Sequence, residues 1–483
     1  MSSTLFIALP LLFGFATPLL SRLGKNALAY TSVLMQLSLL GLALSLLLAH
    51  SSTTVELISI AAPLGISFVL STASLLMVLL FTLLMTLFSL YYLFQRRANA
   101  YANESKFFTL LNMLLAASIG LVLSSDIFNI YVFFEIAGIS AYILSAYSKT
   151  ALALESGLKY LLTGAVASIF LLFAIVLIYL HVGSLNLAVI AEQFQLLPYN
   201  VKLLISLLLL IGFGFKVEVF PLNFWVTDVY QGSTSLVNAL FSGIVVKAYL
   251  FVFFHILYLF LSQGEFTLFL LYLGGVSMLV AEVAGLRQTN LKRLFAYSSL
   301  GQVALIFVAF AMQNIQAVQA AFFIVIAHSL AKFMLFLALA SLEKTEQNMH
   351  IDRLKQIDSP FLMVMMFLAM LSLLGIPLFV GFVGKFLLLK SLAVEGMLTL
   401  LVMVVVASFI EAIYYFKLMG YMLHKGTRSE KVEVSLGEKM IFVSLGLSLL
   451  LLGVFPMSIA GFLQNAAEVL LDQTAYITLL VGG

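Results

Sequence analysis

Four lysines lie inside apolar stretches of this chain that have the composition of membrane helices. They are Lys216, Lys247, Lys332 and Lys385, and almost no other charged residue accompanies them in those stretches. An ionised side chain at the centre of a bilayer costs about 2.5–3.5 kcal/mol or more, so such residues are rare and typically mark ion pathways. The four lysines therefore predict a path for protons or other cations through the membrane.

Other buried ionisable groups extend this series. Glu135 lies among apolar residues for two turns on either side, and Lys216 is its predicted partner, within ion-pairing or one-water distance. His328 and Lys332 are four residues apart and share one face of a helix. A neutral histidine both donates and accepts hydrogen bonds, as a proton relay requires. The competing interpretation is structural: packing ion pairs, a satisfied core histidine and snorkelling lysines.

Three further groups have alternative roles. Glu411 either ends the path, beside a neighbouring subunit or the outer exit, or forms a local pair with Lys417. His255 is eight residues after Lys247 on the same helix face, and it is an accessory candidate. Glu218 is a second accessory candidate, beside an expected helix break, and the sequence alone assigns it no role.

The composition limits the class of protein. The chain is 63% hydrophobic and 9% charged, whereas a soluble domain carries roughly 25% charged residues. It has no cysteine, which excludes disulfide frameworks and thiolate metal sites. No phosphate loop, dinucleotide fingerprint or zinc-type histidine spacing occurs. We therefore expect a polytopic membrane protein with no cofactor, no metal, no redox chemistry of its own and no nucleic-acid partner.

Hydropathy predicts an all-α protein with about fourteen transmembrane helices, because one crossing needs about 20 apolar residues. The stretch 185–200 is shorter and is predicted to be re-entrant or superficial. The first span is expected to be retained, since its basic residues follow the apolar run. The predicted spans are 4–21, 28–48, 69–95, 106–124, 126–147, 157–181, 202–226, 234–261, 265–285, 294–312, 316–341, 358–389, 396–423 and 440–463.

Basic residues gather in the loops that follow odd-numbered spans. Loops rich in Lys and Arg face the cytoplasm, so both termini are expected on the outer side of the cytoplasmic membrane. Seventeen of the 24 basic residues lie in these loops: Arg22, Lys25, Arg96, Arg97, Lys106, Lys149, Lys159, Arg287, Lys292, Arg293, Lys344, Arg353, Lys355, Lys425, Arg428, Lys431 and Lys439.

Two spans contain breaks at corresponding places. Pro221 interrupts the seventh span after Lys216, and Pro377 interrupts the twelfth before Lys385. Proline removes a backbone donor, and paired breaks in two halves indicate a transporter site built from repeats. The breaks are five spans apart, which aligns spans 4–8 with spans 9–13. Because five is an odd number, the two units cross the membrane in opposite directions and form an inverted repeat. The chain is accordingly divided into a three-helix segment (1–105), two repeat halves (106–261 and 262–423) and a C-terminal part (424–483).

Several segments of residues 106–395 resemble one protein family. They include DIFNIYVFFEIAGISAYIL, GFGFKVEVFPLNFWVTDVY, LRQTNLKRLFAYSSLGQVALI, AHSLAKFMLFLALA and LSLLGIPLFVGFVGKFLLL. The family comprises the antiporter-like subunits of respiratory complex I, the large subunits of Mrp Na⁺/H⁺ antiporters and membrane subunits of energy-converting hydrogenases. The resemblance implies fourteen helices, an inverted repeat and a proton path along the middle of the membrane. The residues matching that path are Glu135, Lys216, Lys247, His328, Lys332 and Lys385.

The sequence departs from the family pattern after the seventh-span lysine, where Asn223 and Tyr230 replace histidines. The expected function is translocation of protons, or of Na⁺ against protons, within a complex of other integral membrane subunits. The alternatives are a D-type subunit of an Mrp antiporter without redox coupling and an inactive membrane scaffold.

Overall fold

In the computed structural model the described residues are 2–24, 26–49, 54–57, 65–95, 103–260, 264–344, 349–424 and 430–481. They form a helical bundle, because a chain this apolar must satisfy its backbone polar groups internally. The helices are α1 (Ser2–Leu20), α2 (Ala27–Leu48), α3 (Thr72–Gln95), α4 (Glu104–Leu123), α5 (Ile127–Ser145), α6 (Ala151–Val182), α7 (Leu187–Phe194), α8 (Tyr199–Lys216), α9 (Val226–Gly232), α10 (Ser235–Leu240), α11 (Val246–Phe260), α12 (Glu265–Leu286), α13 (Leu291–Ala311), α14 (Ile315–Glu343), α15 (Pro360–Leu374), α16 (Val380–Val394), α17 (Leu398–Met422), α18 (Leu436–Val454), α19 (Met457–Leu471) and α20 (Gln473–Val481).

Thirteen spans within these ranges are long and apolar enough to cross a membrane. The predicted twelfth span is the remaining crossing, and it is divided into α15 and α16 of 15 residues each. The prediction of an all-α polytopic membrane protein with about fourteen crossings is therefore confirmed. Some boundaries differ: α6 begins at Ala151 rather than at 157, and the predicted span 440–463 covers both the end of α18 and the start of α19. Pro456 lies between these helices, where its missing N–H disfavours a continuous helix.

The two breaks have different local geometry. Helix α8 ends at Lys216, and the chain becomes helical again only at α9. Helix α15 ends at Leu374. The next residue, Gly375, has a left-handed φ of +77° and leaves room for Lys385, since an added Cβ would lie 2.9 Å from the lysine Cδ. A third irregularity, a π-helical turn over Phe241–Val245, joins α10 to α11 just before Lys247. Such π-turns occur frequently at functional sites.

Packing of the helices follows the inverted repeat. Helix α4 packs on α5 and α11, and α6 packs on α8. In the second half, α12 packs on α13 and α17, and α14 packs on α15 and α16. Corresponding helices therefore have corresponding neighbours, which places the two broken spans in equivalent positions.

One end of the bundle, called here the hairpin end, carries the antiparallel pair β1 (Thr54–Leu57) and β2 (Ser67–Leu70). Helix α7, which is the predicted short piece 185–200, also lies there and packs against the C-terminal α20. Bridges between Phe68 and Ser124 and between Asp126 and Asn186 join these elements. Both described termini lie at this end, as an even number of crossings requires.

The opposite end, called here the basic end, carries ion pairs between helices. It also holds a short parallel pair, β3 (Ile357–Asp358) with β4 (Glu430–Lys431). Asp228 of α9 forms salt bridges with Lys159 of α6 at 2.8 Å and with Arg293 of α13 at 2.6 Å. The loop residues Lys25, Arg96, Arg97, Lys425 and Arg428 fall outside the described ranges. The ion pairs Lys344–Glu438 and Arg353–Glu430 measure 2.6 and 2.5 Å.

Candidate functional site: a chain of buried charges

All four lysines of the apolar stretches are buried. The exposed fractions are 2% for Lys216, 0% for Lys247 and Lys332, and 7% for Lys385. They project from α8, α11, α14 and α16, so each half of the repeat supplies two of them. Lipid cannot solvate an ammonium group, and each helix is therefore oriented with its lysine toward other protein groups.

Lys216 is held by a hydroxyl and by aromatic rings. Its Nζ donates a hydrogen bond of 2.6 Å to the Tyr142 hydroxyl. It also lies 4.5–5.6 Å from the ring centroids of Phe134, Tyr142, Tyr160 and Tyr249. Aromatic faces attract a cation through their quadrupoles, and more strongly where water is excluded. The Lys216 site is therefore a cation-binding cage built from neutral groups.

Direct ion pairing of Glu135 with Lys216 is absent from the described structure, whereas their approach through one water molecule stays a prediction. No salt bridge joins the two among the described residues, and Oε1 of Glu135 is buried without a hydrogen-bond partner there. Lys216 nevertheless reaches the same helix, since its Nζ is 3.3 Å from where a Cβ on Gly138 would be. Gly138 is one turn after Glu135, so the carboxylate and the ammonium are neighbours without being paired.

Two glycines allow Tyr142 to reach Lys216. A Cβ added to Gly164 would lie 1.8 Å from the Tyr142 hydroxyl oxygen, and one added to Gly138 would lie 2.7 Å from it. Either side chain would displace the tyrosine. The sequence analysis missed Tyr142, although its position seven residues after Glu135 on the same helix face was a usable signal.

Lys247 and His328 join the two halves of the repeat. The Nζ of Lys247 contacts Nδ1 of His328 and the backbone carbonyl of Ser242. Ser242 belongs to the π-turn before α11. The helix spacing placed His328 beside Lys332, but only the tertiary structure brings His328 of α14 against Lys247 of α11.

Lys332 is held by hydroxyl and carbonyl oxygens. Its Nζ donates to the Ser298 hydroxyl at 2.7 Å, the Phe295 carbonyl at 3.0 Å and the Tyr415 hydroxyl at 3.2 Å. Ser298 and Tyr415 are themselves hydrogen-bonded at 2.6 Å. This lysine is therefore connected through hydroxyl groups to α13 and α17.

Lys385 forms a buried ion pair with Glu411 at 3.0 Å. The Nε2 of Gln302 lies 2.8 Å from each carboxylate oxygen of Glu411 and donates to it. Glu411 is 1% exposed, so it faces neither lipid nor solvent. The local alternative partner, Lys417, instead lies 5.8 Å from the ring centroid of Tyr421. The structure therefore makes Glu411 the counterion of Lys385.

Glu282 is a buried carboxylate that the sequence analysis missed. It is 2% exposed and accepts a hydrogen bond of 2.6 Å from the Tyr414 hydroxyl. Gly301 makes room for it, because a Cβ there would lie 1.8 Å from Oε1. Glu282 is four residues from the end of α12, where an acidic residue looks interfacial in the sequence. Its burial results from the packing of α13 and α17 over this end of α12.

The two accessory candidates occupy different places. His255 lines a cavity of about 360 Å³ at the hairpin end, together with Ser74, Glu468, Asp472 and Tyr476. No hydrogen bond between His255 and Lys247 occurs in the described structure. Glu218 lies in the break after α8 and is 6% exposed.

The described side chains include no group of three or more histidine, aspartate or glutamate residues placed to hold a metal ion. What they form is a series of acids and bases that runs through both halves. In order, it comprises the Glu135–Lys216 neighbourhood, the Lys247–His328 contact, Lys332, and the Glu411–Lys385 ion pair. Each of these groups can bind and release a proton.

Comparisons with known proteins agree with this architecture. The family model described as NADH:quinone oxidoreductase/Mrp antiporter, transmembrane, matches residues 124–411. NADH-quinone oxidoreductase subunit N 2 of Symbiobacterium thermophilum is 32% identical over 74% of each chain. A chain of the membrane-bound sulfane sulfur reductase, an archaeal respiratory membrane complex, is 30% identical over 99% of both chains, with a TM-score of 0.94. A chain of the Mrp complex of Dietzia sp. is 21% identical over 100% of this chain and 99% of that one, and its TM-score of 0.89 shows a shared fold.

Proposed function

Since this chain belongs to the NADH:quinone oxidoreductase/Mrp antiporter transmembrane family, we propose that it translocates protons as one subunit of a multisubunit membrane complex. The observation that carries the proposal is the series of buried ionisable groups spanning both repeat halves. We assign the path to Glu135, Lys216, Lys247, His328, Lys332, Lys385 and Glu411. The inactive-scaffold alternative leaves the burial of so many ionisable groups unexplained.

The contact between Lys247 and His328 supports transfer between the halves. Two nitrogen bases in contact do not both hold a proton readily, because like charges at that distance repel. A proton that arrives on one of them therefore favours release from the other. Lys332, four residues after His328 on α14, is placed to receive it.

The Lys385–Glu411 ion pair is the terminal site in this scheme. A buried carboxylate stabilises the ammonium form of Lys385, so release of its proton requires that the pair loosens or that Glu411 takes the proton. Lateral contacts with other membrane subunits are the proposed means of changing this pair. In this scheme the hairpin end faces the outer side of the cytoplasmic membrane and the basic end faces the cytoplasm.

The energy source is proposed to lie outside this chain. A relative that is 30% identical over 99% of both chains belongs to a respiratory membrane complex, which favours a redox-driven partner arm. Antiport driven by a Na⁺ gradient is the second candidate, and the fold shared with a chain of an Mrp complex supports it. Measuring translocation by the purified complex with and without Na⁺ distinguishes the two.

The test uses the intact complex reconstituted in liposomes. We expect Lys385→Ala to abolish proton translocation. Lys385→Arg should keep a charged partner for Glu411 but should not restore transport, because a guanidinium does not release its proton in proteins. Lys390→Ala, at an exposed position five residues later on α16, is the matched control. Wild-type transport by the arginine variant would show that only a fixed positive charge is needed.

A further inference from the structure

The break after α8 encloses a small cavity. Its volume is about 10 Å³, close to the space that one water molecule requires. Lys216 lines one side of it, and Tyr160, Glu218, Trp225 and Tyr230 line much of the remainder. The cavity is therefore large enough for one water molecule, in contact with a buried lysine and a buried carboxylate.

Three polar atoms from the residues around this cavity have no hydrogen-bond partner among the described residues. They are Oε2 of Glu218, Nε1 of Trp225 and the hydroxyl of Tyr230. The three residues are 6%, 3% and 1% exposed, so bulk water does not reach them. Buried polar groups are nearly always satisfied by protein or by ordered water. One water molecule in the cavity could accept from the indole and the phenol and donate to the carboxylate.

The backbone at Glu218, beside this cavity, also has an unusual conformation. Glu218 has a φ of +62°, a left-handed conformation that non-glycine residues adopt infrequently. Two backbone hydrogen bonds connect the residues on either side of Glu218 to α8. Val217 N–H donates to the Phe213 carbonyl at 2.8 Å, and Val219 N–H donates to the Gly214 carbonyl at 3.2 Å. Unusual backbone conformations of this kind cluster at functional sites.

Glu218 also lies within electrostatic reach of Lys247. Val245 and Val246, which immediately precede that lysine, line the same cavity as Glu218. No hydrogen bond connects Lys216 to Lys247 in the described part of the chain. The cavity therefore occupies a gap in the series of charges, between the cage around Lys216 and the Lys247–His328 contact.

A purely structural role would predict a different arrangement. A carboxylate buried for packing specificity is normally ion-paired and fully hydrogen-bonded. Within the described ranges Glu218 forms no salt bridge, and one of its oxygens has no hydrogen-bond partner. A carboxylate between two lysines without pairing with either is suited to exchange a proton with both.

We propose that Glu218, with one water molecule in this cavity, passes protons between Lys216 and Lys247. In the first step the Lys216 ammonium gives a proton to the Glu218 carboxylate, leaving a neutral amine and a carboxylic acid. In the second step the acid gives that proton to the neutral amine of Lys247, which restores the carboxylate. One proton moves in total, and no other reactant is consumed. This inference rests on the proposed function, of which it supplies one step.

The experiment compares Glu218→Gln with Glu218→Asp in the intact complex in liposomes. The glutamine variant keeps the size and a hydrogen-bonding group but cannot carry the proton, so proton translocation should fall by about tenfold or more. The aspartate variant should recover part of the rate. Glu192→Gln, an exposed carboxylate on α7, should match the wild type.

Infrared difference spectroscopy supplies a readout that a structural role would not produce. During turnover, the wild type should show a carboxylic-acid C=O band that is absent from Glu218→Gln and shifted in Glu218→Asp. Tyr230→Phe, which removes one of the atoms around the water, should shift this band while leaving the complex assembled.

Two results would overturn the inference. One is wild-type translocation by Glu218→Gln while Lys385→Ala remains inactive, since the proposed function would then stand without this step. The other is a set of carboxylic-acid C=O bands during turnover that is identical in the wild type, Glu218→Gln and Glu218→Asp. If Lys385→Ala also translocates normally, the proposed function itself fails, so the two failures are distinguishable.

Discussion

The two halves of the inverted repeat hold their break-associated lysines in opposite ways. In the first half, Lys216 is bound by the Tyr142 hydroxyl and four aromatic rings, and no carboxylate pairs with it in the described structure. In the second half, Lys385 is paired with Glu411, which Gln302 holds in turn. The two lysines thus occupy equivalent positions in the fold, but neutral groups surround Lys216 whereas a carboxylate counterion contacts Lys385.

This difference indicates different tasks for the two halves. A cation held by hydroxyl and ring dipoles is compensated less than one held by a carboxylate in contact. In the proposed path, the first-half lysine exchanges its proton without breaking an ion pair, whereas the second-half lysine must first lose its counterion. We expect the first half to load protons readily and the second half to control their release.

The largest expected effect is on stability in the second half. Glu411→Gln leaves the Lys385 ammonium buried without its carboxylate, and breaking one side of a buried pair costs about 3–5 kcal/mol. The temperature of thermal inactivation of the complex should fall clearly. Glu135→Gln should shift it little, because Glu135 forms no ion pair within the described ranges. Equal shifts in the two variants would remove the distinction between the halves.

The next effect is on transport through the first half. Glu135→Gln should lower proton translocation in liposomes by about tenfold or more, since a proton carrier has been removed from beside Lys216. The complex should still assemble, as judged by its subunit composition after purification. A rate close to that of the wild type would show that Glu135 is only a packing residue.

A smaller effect is expected from the hydroxyl that holds Lys216. Tyr142→Phe removes one hydrogen bond and should slow translocation by about two- to tenfold. Gly164→Ala should slow it similarly, because its Cβ would lie 1.8 Å from the present hydroxyl position. Gly41→Ala, where an added Cβ meets no atom within 4 Å, is the control. If Gly164→Ala behaves like Gly41→Ala, the glycine does not position the tyrosine.

The smallest effect concerns Asp228, which ties the two halves together at the basic end. Burial alone would raise the pKa of its carboxyl, but hydrogen bonds from Lys159 and Arg293 outweigh burial and lower the pKa below its usual value of 3.8. A lowered pKa in the folded state means that this stabilisation is present above pH 3.8 and is lost as the pH falls through the folded-state value. Acid inactivation of the complex should therefore be less steep in Asp228→Asn. If the pH dependence of acid inactivation is the same in Asp228→Asn and the wild type, the salt bridges of Asp228 do not couple the two halves.

The sequence by itself determined the features that depend on local composition. Runs of apolar residues set the number of crossings, because about 20 residues are needed to cross the bilayer. The breaks near Pro221 and Pro377 and the burial of the four lysines were equally evident, since proline and charge act on their own helix wherever it packs. The end of α18 was placed too late, because apolar residues continue past Pro456.

The tertiary structure alone decided which groups meet. Lys216 meets Tyr142 rather than Glu135, Lys247 meets His328, and Lys385 rather than Lys417 meets Glu411. The partners in these contacts lie on different helices, so each depends on helix rotation, on crossing position and on glycines that open space. None of these appears in the periodicity of one segment. Residue spacing therefore identified most of the charged groups, and packing between helices arranged them into a series that runs through both halves.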